Sequence, residues 1–221
     1  MDTRTSPVVP PVLERRHVEA LEGLVTPLLS DNLDRLAGVV GLTRYNRKRK
    51  LIGTALTVKT RPGDNLYVYQ ALSLLRPGHV LVIDAGGALE NAIVGELIKL
   101  YAEQHGCTGF VVDGAIRDVA CFETGDFPCY ARGIQHRGPY KSGPGRLNVP
   151  VAIGGQVVCP GDVLVGDEDG LVVFPHSDID RLIEDATRKL DQENAIRDEI
   201  LTGRHEQVWL TAVLHNGGLA P

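Results

Sequence analysis

The four cysteines, Cys107, Cys121, Cys129 and Cys159, contain no C-x-x-C pair, so neither a zinc knuckle nor a dithiol redox site is indicated. No apolar segment opens the chain, which points away from secretion and toward free thiols in a reducing, cytoplasmic compartment. No apolar run reaches the roughly 20 residues needed to span a bilayer, so no membrane partner is expected. The seven histidines form no H-E-x-x-H or similar pair, which disfavours a catalytic zinc site. Gly86-Gly87 is not part of a G-x-G-x-x-G fingerprint, and Ser30 sits in no G-x-S-x-G elbow. No glycine-rich cofactor loop of the methyltransferase kind follows the first strand. Positive charge is not in excess either. The net charge is −5, and the longest basic block is Arg47-Lys48-Arg49-Lys50, read as a solvated connection, so nucleic acid is not an expected partner.

Hydrophobic residues make up 43% of the 221 and charged residues 23%, enough for an ordinary buried core. We expect an arm over residues 1–12, one α/β domain over 13–203 and a tail over 204–221. The stretch from Leu13 to Leu42 reads as helical, with Ser30-Asp31 as a cap for a helix ending near Gly38. Leu51–Thr60 is a strand by its β-branched content, and Asp64 caps a helix running to Leu75. His79–Asp84 and Gly109–Asp113 are continuous apolar runs, the mark of central strands buried on both faces. Between them a helix from about Asn91 to Gln104 places Ile93, Leu97, Leu100 and Tyr101 on one face, and Gly106 stops it. Pro150–Pro175 holds three or four short strands, read as a mainly antiparallel unit packed on the α/β layer. A long charged helix follows over Ser177–Leu201.

Two segments combine a strand end with glycine and acid: Asp84-Ala85-Gly86-Gly87, followed by Gly95-Glu96-Leu97, and Asp113-Gly114-Ala115-Ile116-Arg117-Asp118. Ligands of α/β sheets collect outside the carboxyl ends of strands, where glycine lets them approach the backbone. Arg117-Asp118 sets a fork that suits a carboxylate beside a hard oxygen that suits Mg²⁺. A plainer reading stands beside it: Asp118 caps a helix starting near Val119, and Arg117 pairs with a surface acid. Glu96 in an amphipathic helix and Asp113 at the start of a turn have plain readings too. Asp162, Asp167 and Asp169 read as turn residues.

The run GELIKLYAEQHGCTGFVVDGAIRDV resembles the core signature of the RraA-like family, which includes 4-hydroxy-4-methyl-2-oxoglutarate and 4-carboxy-4-hydroxy-2-oxoadipate aldolases and regulators of ribonuclease E. SDNLDRL, RPGDNL and RLNVPVAIGGQVVCPGDVLVGDEDGLVVFP extend the resemblance from about Leu28 to Thr202. It implies an α-β-β-α sandwich of the swivelling-domain type, assembled as a homotrimer or as a hexamer of stacked trimers with sites at subunit interfaces. It also implies roles. Asp118 binds Mg²⁺ or Mn²⁺ directly, and Arg117 contacts the substrate carboxylate and keto oxygen. Glu96 and, from a neighbouring subunit, Glu193 act on the metal through water. Gly95, Glu96, Leu97 and Ile98 form the element that cradles the carboxylate, with the backbone amides of Leu97 and Ile98 as its donors. The aldolases usually carry aspartate where Glu96 stands. The non-catalytic regulators lack the aspartate of the R-D pair, which this chain keeps. The implied activity is a retro-aldol lyase acting on a 4-hydroxy-2-oxo diacid and releasing pyruvate, with oxaloacetate decarboxylation at the same site. Alternatives are a regulator that captures a ribonuclease or another protein, and a lyase or dehydratase of the same fold acting on a sugar-derived 2-oxo acid. Arg132, His136, Arg137 and Lys141 are candidate contacts for a second carboxylate.

Overall fold

The structure, a computed structural model, describes residues 9–35, 38–204 and 207–217. It falls into two compact units, Met1–Ala186 and Thr187–Pro221. The first unit opens with α1 (Arg15–Glu22) and α2 (Thr26–Asp31), followed by β1 (Thr43–Arg44), β2 (Leu51–Thr60), α3 (Leu66–Leu72) and β3 (His79–Asp84). Next come β4 (Ala92–Val94), α4 (Glu96–Gln104), β5 (Gly109–Ile116), α5 (Ala120–Thr124) and β6 (Cys129–Ile134). Five short strands complete the β content: β7 (Gly145–Leu147), β8 (Val151–Ile153), β9 (Gln156–Val158), β10 (Val163–Gly166) and β11 (Leu171–Phe174). The helix α6 (Ile179–Leu201) begins in the first unit and continues into the second, which also holds α7 (Val208–Asn216).

Strands β6, β5, β3 and β2 lie side by side and parallel. Their apolar runs alternate between two cores. Leu81, Ile83, Phe110 and Val112 face Val68, Leu72, Ile98 and Ala102 of α3 and α4. Val80, Val82 and Val111 face the other way, onto Val151, Ile153 and Val158 of the β8–β9 hairpin. Burial on both faces is why these strands carry no polar alternation. Phe110 is fully buried and meets Phe127 edge-to-face at 4.7 Å, a burial of about 3 kcal/mol for a side chain of this size. α1 and α2 lie against β2 and β11 of the main sheet. The result is a layered α/β fold of the expected class, with α3 and α4 on one face of the sheet and the β8–β9 hairpin on the other.

Several expectations change. The helical stretch expected to Leu42 ends at Asp31, because Asp34 and Arg35 adopt left-handed conformations (φ 55 and 58). Leu36 and Ala37 lie outside the described residues, and Val39 forms a β-bridge to Leu171. Ser30 and Asp31 therefore end a helix and do not cap one. The cap of α2 comes from far along the chain: Asp167 accepts the Thr26 N–H at 2.7 Å and its hydroxyl at 2.6 Å. The helix expected from Asn91 begins at Glu96, since Ala92–Val94 pairs with the end of β5 as a strand. The four strands of Pro150–Pro175 are present, but β10 and β11 extend the main sheet beyond β2 and only β8–β9 is a separate layer. Of the expected N-terminal arm, residues 1–8 lie outside the described residues. The arm's last residues are fixed: Pro11 O accepts the Thr54 hydroxyl at 2.8 Å, and Pro10 O meets His79 Nε2 at 3.0 Å. Within the tail, His205, Glu206 and residues 218–221 lie outside the described residues. Among the described residues no helix is long and apolar enough to cross a membrane.

Candidate active site

The site forms where β4 pairs with the end of β5. Val94 and Ile116 are register partners, and Arg117 N–H donates to Val94 O at 3.0 Å. That pairing lays Gly95 flat against the Arg117–Asp118 peptide. A Cβ on Gly95 would stand deep inside the radius of Asp118 Oδ2 and 3.0 Å from Arg117 Cγ, so only glycine permits the approach. Asp118 adopts φ 54, a left-handed conformation that aspartate tolerates better than most residues. This turn aims the carboxylate at the start of α4, where Oδ2 accepts the Glu96 N–H at 3.1 Å and lies 3.7 Å from Arg117 Nε.

The plainer reading of this pair does not hold. The N-cap of α5 is Val119, without a side-chain cap bond, and the Asp118 carboxylate serves a different helix. Arg117 pairs with its own neighbour and not with a distant surface acid. Both side chains are about half exposed, at 41% and 47%, so solvent and ligand reach them.

At the start of α4 the Glu96 N–H is taken, while no acceptor within the described residues meets the N–H groups of Leu97 and Ile98. Helix starts leave such donors free, and they suit an anion. A small cleft opens here, lined by Asn65, Tyr69, Gly95, Arg117, Asp118 and Lys141 among others. Asn65 is buried. Its amide nitrogen donates to Ile93 O at 3.0 Å, and its Oδ1 has no partner among the described residues. Lys141 Nζ stands 5.6 Å from the Tyr69 ring centre.

Not every candidate reaches the cleft. Glu96 is exposed and does not line the cleft, although Gly95 and Leu97 on either side of it do. Glu193 lies on α6 in the second unit, 3.9 Å from Lys189 Nζ. Of the four cations expected to meet a second carboxylate, Lys141 lines the cleft. Arg132 instead donates to Asp113, and His136 and Arg137 are exposed elsewhere. Asp113 also accepts Gly154 N–H at 3.4 Å, and Asp84 is engaged by Gly86 N–H at 3.0 Å, Ala152 N–H at 3.4 Å and Lys59 Nζ at 3.8 Å, so the acids of both glycine-and-acid strand ends are partnered within the fold. Asp162 and Asp167 accept N–H groups of their own turns, as expected. In the basic block, Lys50 Nζ donates to the carbonyls of Leu21 and Leu24 at the end of α1. Asn65 and Tyr69 were not foreseen. An asparagine beside a turn has many ordinary uses, and only the pairing of distant loops shows it facing a cleft.

Cys121 lies beside this site, and burial, opposed by Lys99 and reinforced by Glu96 and Asp118, pushes its thiol up to about 11. It is therefore neutral and a poor nucleophile. Among the described residues no three histidine, cysteine or acidic side chains converge on one point, so no closed metal cage exists. Mg²⁺ and Mn²⁺ do not require one. A single hard carboxylate suffices for an ion that keeps most of its waters, and Asp118 offers one with Oδ1 uncommitted and open to solvent.

A strand-end arginine–aspartate pair set over a helix start is an arrangement whose donors suit a small anion. Comparison with known proteins is consistent with that chemistry. The family model Aldolase/RraA matches residues 26–173, and the chain belongs to the RraA-like family. A Halalkalibacterium halodurans protein named "Putative 4-hydroxy-4-methyl-2-oxoglutarate aldolase" is 36% identical over 195 residues, covering 86% of this chain and 91% of its own length. An Ectopseudomonas mendocina protein of the same name is 35% identical over 155 residues, covering 69% of this chain and 95% of itself. The crystal structure of Streptomyces coelicolor RraAS2, described as an unusual member of the RNase ES inhibitor RraA protein family, superposes with a TM-score of 0.77 at 27% identity, covering 84% of this chain and 98% of its own.

Proposed function

We propose that this protein is a divalent-metal-dependent, cytoplasmic lyase that cleaves a 4-hydroxy-2-oxo diacid by retro-aldol reaction and releases pyruvate, with oxaloacetate decarboxylation as a side activity. The observation that carries this reading is the Arg117–Asp118 pair held across Gly95 at the start of α4. The aldolase names of the two relatives support it.

In this reading the substrate's C1 carboxylate accepts hydrogen bonds from the free amides of Leu97 and Ile98. The Arg117 guanidinium donates to that carboxylate and to the keto oxygen. Asp118 would hold Mg²⁺ or Mn²⁺, with Glu96 and Glu193 of a second copy acting through water, and the ion when bound supplies a Lewis acid. The proton of the C4 hydroxyl passes to water organised by these acids. The C3–C4 bond breaks, its electrons enter the pyruvate enolate, and C3 takes up a proton. Arg117 and the helix start face the developing negative charge, which is where fixed donors lower a barrier most. Lys141 meets the substrate's distal carboxylate.

A homotrimer, or two stacked as a hexamer, fits the surface of α4, where Leu97, Leu100 and Tyr101 are 63%, 47% and 56% exposed. An apolar row beside a cleft is a surface a second copy would cover. The deciding experiment is pyruvate release over a panel of 4-hydroxy-2-oxo diacids and oxaloacetate, with Mg²⁺ and with EDTA. Mg²⁺-dependent release from at least one diacid is expected, and no turnover of any would reject the reading. Similarity to RraAS2 favours a second reading, capture of a ribonuclease without chemistry, which the same assay would then leave standing.

A further inference from the structure

Asn65 and Lys141 reach the cleft from two loops that belong to neither β5 nor α4. The backbones of these loops are zipped together. Tyr140 N–H donates to Gly63 O at 2.8 Å, Asn65 N–H to Tyr140 O at 3.0 Å, and Arg61 N–H to Pro144 O at 3.2 Å. At the centre of the zip is Asp64, whose side chain is 0% exposed. Its Oδ2 accepts the Ser142 N–H at 2.7 Å, the Gly143 N–H at 3.0 Å and the Arg61 guanidinium at 3.2 Å. Its Oδ1 accepts the Leu66 N–H at 2.9 Å, and its carbonyl accepts the Thr60 hydroxyl at 2.8 Å.

One buried carboxylate thus grips the residue after Lys141 and the residue after Asn65. Lys141 is exposed and has a long, mobile stem, so the location of its ammonium depends on where its backbone is held. Charged acceptors hold backbone N–H groups about twice as strongly as neutral ones. An asparagine at 64 keeps the shape but turns an NH₂ group toward one set of N–H donors, leaving them unmet.

We propose that Asp64 is a positioning residue that sets the separation between the Arg117–Asp118 half of the cleft and the Asn65–Lys141 half, and so decides which length of 2-oxo diacid the site accepts. The inference rests on the lyase reading above. Asp64 touches no substrate and acts through Asn65 and Lys141.

The test compares wild type and Asp64→Asn as Mg²⁺-loaded full chains in two reactions. Cleavage of the best 4-hydroxy-2-oxo diacid uses both halves of the cleft. Exchange of pyruvate methyl protons with D₂O needs only the Arg117–Asp118 half. Asp64→Asn is expected to raise KM for the diacid about tenfold while kcat and the exchange rate stay within about twofold. In a Lys141→Ala background the same substitution is expected to add less than about twofold, because residues acting as a unit are not additive. Equal loss in both reactions by a folded variant, or no change in either, overturns the proposal. If Asp64→Asn does not fold, Arg61→Met removes one donor from the carboxylate and is expected to show the same selective rise in KM at about threefold. A uniform or absent effect there overturns it equally. If wild type cleaves no diacid, the lyase reading fails, and amide hydrogen exchange still decides the fate of Asp64. Faster exchange over residues 138–144 in the variant, with residues 109–118 unchanged, supports it, and unchanged exchange in both segments refutes it.

Discussion

Replacing Gly95 by alanine should separate the chemistry from the fold. The backbone there is extended (φ −154, ψ −163), so any residue can adopt it without strain. The added methyl would overlap Asp118 Oδ2 and come within 3.0 and 3.3 Å of Arg117 Cγ and Nε. Carbon contacts are comfortable at about 3.5–4.0 Å, so a displacement on the order of 1 Å must be absorbed. The β4–β5 pairing fixes the backbones, while the two side chains are about half exposed and can swing into water. The loss of stability is then mainly the Glu96-to-Asp118 hydrogen bond, about 1 kcal/mol, or roughly 2–4 °C in Tm for a chain of this size. The functional loss is far larger, because a 1 Å misplacement of groups that align the reaction costs about 10²-fold. The assay is Mg²⁺-dependent pyruvate release coupled to NADH oxidation, run beside calorimetry on the same preparation. A Gly95→Ala protein whose kcat/KM stays within about threefold of wild type would show that Asp118 is not held for chemistry.

Three further outcomes are expected. Arg117→Ala should lower kcat/KM by about 3 kcal/mol, on the order of 10²-fold, with kcat falling more than KM rises, measured by the same assay. Asp118→Asn should fold normally, since asparagine also tolerates a left-handed conformation, yet lose Mn²⁺ binding by electron paramagnetic resonance together with all metal-dependent turnover. Burial raises the Asp64 carboxyl, but the N–H groups of Leu66, Ser142 and Gly143, with Arg61, outweigh it and hold the group below its ordinary 3.8. Its contribution to stability is therefore complete above that pH and is lost as pH falls further. Thermal melts from pH 6 to 3 should show a steeper acid decline for wild type than for Asp64→Asn, and identical slopes would contradict this.

Much of the fold can be read from local patterns where burial is complete. Leu51–Thr60 and His79–Asp84 are strands at their expected limits, because apolar, β-branched runs here are bounded by the Pro62-Gly63 and Pro77-Gly78 turns. Reading fails where pairing is remote. CYARGI and GRL carry weak signals, and become β6 and β7 only because β5 and β2 offer them edges. The exposure of the apolar row on α4 is illegible for a different reason. Leu97, Leu100 and Tyr101 have helical spacing, but periodicity cannot tell a core from a surface awaiting a partner. At the site, Arg117-Asp118 stands out because a cation and an acid end a buried strand. The buried Asn65 does not, because its role depends on the Asp64 clasp between loops 78 residues apart.

The left-handed turn at Asp118 has an evolutionary corollary. Asparagine or glycine fits the same backbone as easily, so the acid can be deleted by a single substitution without refolding anything around it. On the proposed reading of Asp118, a lineage built on this scaffold can therefore drop its chemistry in one step and keep an intact body with its surfaces in place, free to be recruited as a ligand for other macromolecules. Return is equally short, since restoring one carboxylate to a preformed turn needs no new architecture.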